Sequence, residues 1–275
     1  MVVKQIPQII YVHGFGGSDH APPFYLALNK FFKSQNLCFD LRTFAWDSLP
    51  TTPQTLIANF LNSQKAAEEA GRALHVFLTE LESKAIDYHV IGFSLGASVI
   101  RHALTHQRSV LTHLRSIFLL GAAFNHNEAI VTAGIPAHAR CHNYYSPKND
   151  LTLRTSYYNV TGIKAAGTSG LSQATRFTNL ATQCSHSMLY DYTILAEALG
   201  FLIAWDDQQY VPGSTRFNMQ MSTMGGDNYW NNICYHHELL IQQNINTQHY
   251  RAIESSGKHR RIAWGDNLHA ILRSL

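Results

Sequence analysis

Charge is scarce in this chain. Asp, Glu, Lys and Arg together make up 14% of 275 residues, the formal net charge is +3, and no run of Lys or Arg stands out. That balance excludes a dedicated nucleic-acid binder, which needs a basic stripe or patch. Disorder is excluded as well, because 45% of the residues are hydrophobic and can fill a sizeable core. Cysteine is equally sparse. Cys38, Cys141, Cys184 and Cys234 lie far apart and form no CxxC pair. A zinc ribbon, a redox motif and a disulfide framework are therefore not expected. No apolar stretch reaches the length needed to span a bilayer, and Met1-Val2-Val3-Lys4-Gln5-Ile6-Pro7 leads into a strand without a charged-then-apolar leader. These absences point to a cytoplasmic chain with reduced thiols, with leaderless export left open. No internal repeat is present. Oligomeric state is not legible.

What the chain does contain is an alternation of strands and helices. Residues 8–13 read as a strand ending in glycines. Residues 23–35 read as a helix with Phe24, Leu28, Phe31 and Phe32 on one side. A second strand is expected at 37–44, followed by a long helical region over 55–83 that Gly71 could break. A short apolar strand at 87–91 precedes a helix starting near Ala97. Strands at 116–121, 140–146 and 175–182 and a helix at about 188–203 complete the series. Short apolar strands separated by helices predict a mostly parallel sheet covered by helices on both faces, an α/β fold. Residues 1–204 form the core on this reading. Residues 205–275 are richer in Asn and Gln, with one helix suggested by Trp230, Ile233, His237, Leu240 and Ile241, and read as a partly helical C-terminal extension of unassigned role.

The most informative stretch is Gly92-Phe93-Ser94-Leu95-Gly96, between the strand at 87–91 and a helix that begins with small residues. A serine flanked by glycines at a strand-to-helix turn is the nucleophile elbow of the α/β-hydrolases. Side chains at 92 or 96 would collide with the neighbouring strand or helix, and the tight turn strains the serine backbone and projects its hydroxyl outward. With Tyr11-Val12-His13-Gly14-Phe15-Gly16-Gly17-Ser18, this motif makes residues 8–203 resemble the α/β-hydrolase superfamily, closest to small bacterial serine esterases with an HGF-type loop. The resemblance implies an α/β-hydrolase fold with the site at the carboxyl ends of the strands. It implies oxyanion donors at the backbone N–H groups of Phe15 and Leu95, with His13 shaping the loop. The glycine loop lacks the GKS/T or GxGxxG pattern of a phosphate cradle.

In this superfamily the order is serine, acid, histidine. Between Ser94 and Cys184 the only acids are Glu128 and Asp150, and Asp150 follows a strand where the family places its acid. Between Asp150 and residue 203 the only histidine is His186. The expected set is Ser94, Asp150 and His186, with Glu128 the weaker acid. No metal or cofactor is expected. His236-His237-Glu238 lacks the HExxH spacing and reads as a surface face. Phe93, Phe124, Met188 and Leu189, with Phe15, would favour an apolar acyl group. The short link from Gly121 to residue 140 leaves no room for a large lid, which predicts a pocket for small or medium acyl esters. Residues 151–174 read as a mobile-looking loop, and they or the tail could cover the pocket. The expected activity is carboxylic ester hydrolysis through an acyl-serine. A thioesterase or acyltransferase with the same residues, a lipase attacking membrane lipids, and a non-catalytic interaction protein on this scaffold stay open.

Overall fold

The computed structural model describes residues 5–17, 23–34, 36–48, 56–173, 176–182, 184–186, 196, 199–200 and 202–204. The C-terminal extension, Met188, Leu189 and the start of the helix expected near 188 lie outside the described residues. In chain order the elements are β1 (Gln8–Val12), α1 (Pro23–Ser34), β2 (Asp40–Phe44), α2 (Leu56–Ser83), β3 (Tyr88–Phe93), α3 (Leu95–His106), β4 (Leu114–Leu120) and β5 (Arg140–Tyr145). A π-helical turn at Thr152–Tyr157 runs into α4 (Tyr158–Thr161), then come α5 (Ala166–Ser169) and β6 (Thr178–Ala181). Six strands form one sheet in the order β2-β1-β3-β4-β5-β6, and every neighbouring pair is parallel.

Both faces of this sheet are buried at its centre because both residue parities of β1, β3 and β4 are largely apolar. Ile9 and Tyr11 of β1 join Ile91, Phe118 and Tyr144 on one face, where α1 lays down Phe24, Leu28, Phe31 and Phe32 beside Leu199, Leu202 and Ile203. Ile10 and Val12 join Val90, Ile117 and Leu119 on the other, beneath Leu74 and Leu78 of α2 and Val99 and Ile100 of α3. Each such side chain contributes roughly 1.5–3 kcal/mol when taken fully out of water, so α1 is held by its apolar stripe and not by helix propensity.

Three expectations change. First, α2 runs unbroken through Gly71. A β-carbon there would lie 2.4 Å from the Cβ of His102 and 3.0 Å from the Val99 carbonyl, so this glycine lets α2 and α3 approach closely. Second, strand–helix alternation lapses between β4 and β5. That crossover has no helix, and Ile130, Ile135 and Ala139 join the core from irregular backbone. Third, the segment expected to be a mobile-looking loop over 151–174 is largely helical. Leu153 and Tyr157 turn inward, and a β-carbon on Gly167 would lie 2.4 Å from the carbonyl carbon of Gly121, so α5 rests against the tip of β4. Among the described residues no helix is long and apolar enough to cross a membrane.

Candidate active site

The carboxyl ends of β3, β5 and β6 meet above the sheet. At the end of β3, Ser94 has φ 54° and ψ −121°, a positive φ that few non-glycine residues adopt. Neighbours hold it there. The Ser94 N–H donates to the Leu120 carbonyl at 3.0 Å, and its carbonyl accepts from the N–H groups of Ala97 and Ala123, each at 3.1 Å. Strain of this kind costs about 1–3 kcal/mol and persists only where the surroundings over-determine it. The flanking glycines are required sterically. A β-carbon on Gly96 would lie 2.1 Å from the Val12 carbonyl oxygen, and one on Gly92 would lie 2.5 Å from Ile100.

Asp150 and His186 complete an unbroken chain of polar contacts. His186 Nε2 is 2.8 Å from Ser94 Oγ, and its Nδ1 is 2.7 Å from Asp150 Oδ2. An ionised carboxylate can only accept, so Nδ1 carries the proton and Nε2 is left to accept from the serine hydroxyl. Asp150 is fully buried, and its second oxygen, Oδ1, accepts the Leu153 N–H at 2.9 Å. The His186 segment is set by the Thr182 N–H to the Tyr145 carbonyl at 2.7 Å and the Cys184 N–H to Thr182 Oγ1 at 3.3 Å. The Phe93 ring packs 4.9 Å from the imidazole.

The glycine loop passes directly against the serine. A β-carbon on Gly14 would lie 2.7 Å from Ser94 Cβ. The Gly17 N–H donates to the Gly14 carbonyl at 3.1 Å, and Gly16 has φ 65°, so Gly14–Gly17 is a tight turn with Phe15 at its first corner. Leu95 opens α3, where backbone N–H groups have no partner within the helix. Trp46 holds the loop from the other side. Its indole N–H donates to the His13 carbonyl at 2.9 Å, its backbone N–H donates to His13 Nε2 at 3.3 Å, and the two rings stack with centroids 5.5 Å apart. Because Nε2 accepts, His13 Nδ1 carries the proton and donates to the Gly14 carbonyl at 3.0 Å. Both ring nitrogens of His13 are therefore committed to the loop.

Ser94, Asp150, His186, Phe15, Leu95 and Phe93 are thus brought together. Phe124 is not. It is buried on the α3 side with the Arg101 guanidinium 5.6 Å above its ring, packed as core and not as pocket wall. Glu128 pairs with Arg101 at 3.0 Å. An aromatic row that the sequence did not reveal stands beside Leu95. Phe15 meets Phe60 edge-on at 5.8 Å, and Phe60 meets Tyr157 edge-on at 5.9 Å. Burial pushes the Tyr157 hydroxyl up to about 12, so that side chain stays neutral near pH 7.

A parallel sheet in this order, with a positive-φ serine between its third strand and a helix, matches the fold expected from the Gly92–Gly96 motif and the glycine loop. The fold is an α/β-hydrolase fold. No protein-family model matches the chain, and no curated protein matches it. Solved structures similar to this chain include a protein of Thermus thermophilus at 14% identity and TM-score 0.45, covering 73% of this chain and 89% of that one. Another is an esterase of the planctomycete Thermogutta terrifontis at 8% identity and TM-score 0.42, covering 77% and 87%. A third is a cutinase-like protein of Cryptococcus sp. at 11% identity and TM-score 0.38, covering 73% and 94%.

Proposed function

We propose that this protein is a serine hydrolase that cleaves carboxylic esters through an acyl-serine intermediate. The observation that carries the reading is the Asp150–His186–Ser94 chain, with both contacts below 3 Å and the hydroxyl on a strained turn. Ser94 Oγ attacks the ester carbonyl carbon while its proton passes to His186 Nε2. The carbonyl π electrons move onto oxygen, and the N–H groups of Phe15 and Leu95 are the proposed donors to that oxyanion. Loss of one such donor typically costs about 3–4 kcal/mol of barrier. Collapse of the tetrahedral intermediate breaks the bond to the alkoxide, which takes the proton from Nε2. Water then repeats the sequence on the acyl-serine and releases the carboxylic acid. Asp150 orients the imidazole and stabilises its charged form.

A fluorophosphonate probe tests the reading directly, with the expected covalent adduct on Ser94. Ser94→Ala should fold and lose turnover by several orders of magnitude. Retention of more than a few per cent of the rate would remove Ser94 from the mechanism. A series of p-nitrophenyl esters of rising chain length, with acyl-CoA alongside, then separates ester from thioester chemistry. The short link between β4 and β5, which leaves no room for a large lid, supports a preference for small or medium acyl groups.

A further inference from the structure

We propose that the outer face of the segment between Asp150 and Ala165 docks the protein on an anionic phospholipid surface, which deepens the ester-hydrolase reading and rests on it. This segment has two unlike sides. Leu153 and Tyr157 point inward and pack with Leu95, Ala123 and Ala165. On the outside, Leu151 is 62% exposed, Tyr158 47% and Ile163 40%. Single exposed apolar residues are ordinary on a protein surface. Here three of the nine large ones among the described residues fall within one short stretch, on the segment that begins at the carboxylate contacting His186.

Along the segment itself the exposed charge has one sign, and Glu128 on the neighbouring loop is paired with Arg101. Lys148, Arg154 and Lys164 are exposed along the same segment. Between Glu128 and Asp191 the sequence has a single acid, Asp150, and that carboxylate is fully buried. Cations flanking Leu, Tyr and Ile form the pattern that binds an anionic bilayer, where cations meet phosphate headgroups and apolar side chains enter the acyl boundary. A nucleic acid or an acidic protein would satisfy the cations but leave Leu151 and Ile163 without a counterpart. The face is also pre-shaped. The Leu153 N–H is held by Asp150 Oδ1, and the Arg154 guanidinium donates to the Lys148 carbonyl at 2.6 Å. Docked this way, the segment that begins at Asp150, whose carboxylate contacts His186, lies against the bilayer from which ester substrate would enter.

The test is co-flotation of the full-length protein with phosphatidylglycerol vesicles and, separately, pure phosphatidylcholine vesicles, with p-nitrophenyl acetate hydrolysis measured in parallel without lipid. Wild type should bind the anionic vesicles and release them at high salt. The triple variant Lys148→Gln, Arg154→Gln, Lys164→Gln should bind about 100-fold more weakly, at about fivefold per cation near such a surface. Leu151→Ser with Ile163→Ser should weaken binding at unchanged charge, and all variants should keep the wild-type rate on the soluble ester. Equal binding to both vesicle types, no binding, or a triple variant that binds like wild type overturns the proposal. So does vesicle binding that the Leu151 and Ile163 changes leave untouched, because that result marks a general polyanion site. Turnover without vesicle binding sinks the docking surface alone. Vesicle binding without turnover supports the surface and overturns the hydrolase reading, with its claim about substrate supply.

Discussion

Trp46 is not near the serine in sequence and carries no reactive group, yet it holds the backbone of the turn that carries the proposed oxyanion donor. Trp46→Phe keeps a ring to stack on His13 and removes the indole N–H that reaches the His13 carbonyl. A lost neutral hydrogen bond is worth about 0.5–1.5 kcal/mol, so turnover should fall roughly two- to tenfold. If the bond positions the oxyanion donor, kcat falls while KM stays unchanged, and steady-state kinetics on one p-nitrophenyl ester reads the split. The acid offers a sharper contrast. Asp150→Asn can still accept the Leu153 N–H, but its amide would donate toward His186 Nδ1 and impose the wrong tautomer. Turnover should drop by about three to four orders of magnitude. Glu128→Gln should be nearly silent, because Glu128 faces Arg101. Reversal of these two effects in a rate assay would move the acid to Glu128. That Ser94, Asp150 and His186 would meet was legible because residue order left few candidates. Trp46, Phe60 and Tyr157 were not, because their places depend on pairing. Val12 sits opposite Phe44 in the β1–β2 register, so Trp46 falls beside Gly14 only once those strands are known to be neighbours.

Elements were read well where periodicity is strong and poorly where a single residue had to be judged from its local preference. A glycine inside a helix lowers propensity by about 1 kcal/mol, which made Gly71 look like a break. Packing against α3 outweighs that local loss. Gly71→Ala should therefore lower thermal stability despite the propensity gain, because its β-carbon would meet His102 Cβ at 2.4 Å and backbone atoms at 3.0 Å. Thermal denaturation compared with wild type checks the sign, and a rise in Tm would mean that α3 shifts freely. The segment over 151–174 reads as a loop in sequence because Gly162, Gly167 and Gly170, with Thr168 and Ser169, resemble one. Its inward residues over 151–164, Leu153 and Tyr157, are only two, too few for a periodic signal. No helix is read from sequence in the crossover between β4 and β5, but that scattered Ile130 and Ile135 fill the space a helix would was not legible there.

At the scale of the molecule, stability should depend on pH through the α2–α3 contact. Burial and the neighbouring Arg101 guanidinium hold His102 down to about 4, from an ordinary 6.5, against a smaller opposing pull from Glu68; His106 and Arg72 add to the lowering. In the unfolded chain the imidazole takes a proton as pH falls through 6.5, while in the folded one it does not until about 4. This contribution to stability is whole above pH 6.5, declines between 6.5 and 4, and is constant below. Urea titrations at several pH values should show the decline in wild type and a shallower one in His102→Gln. An identical slope in both would assign it to other groups.

The polar chain at the site joins residues 92 and 36 positions apart in sequence, from the ends of three different strands. Such a site has no partial form. Loops of that length must close, and β3, β5 and β6 must all be in register, before the imidazole lies between its two partners. During refolding, recovery of activity is then a clock for the last stage of assembly and should lag behind the collapse of the core. A chain cleaved anywhere between Ser94 and His186 keeps its residues but works only if the fragments reassociate into one sheet.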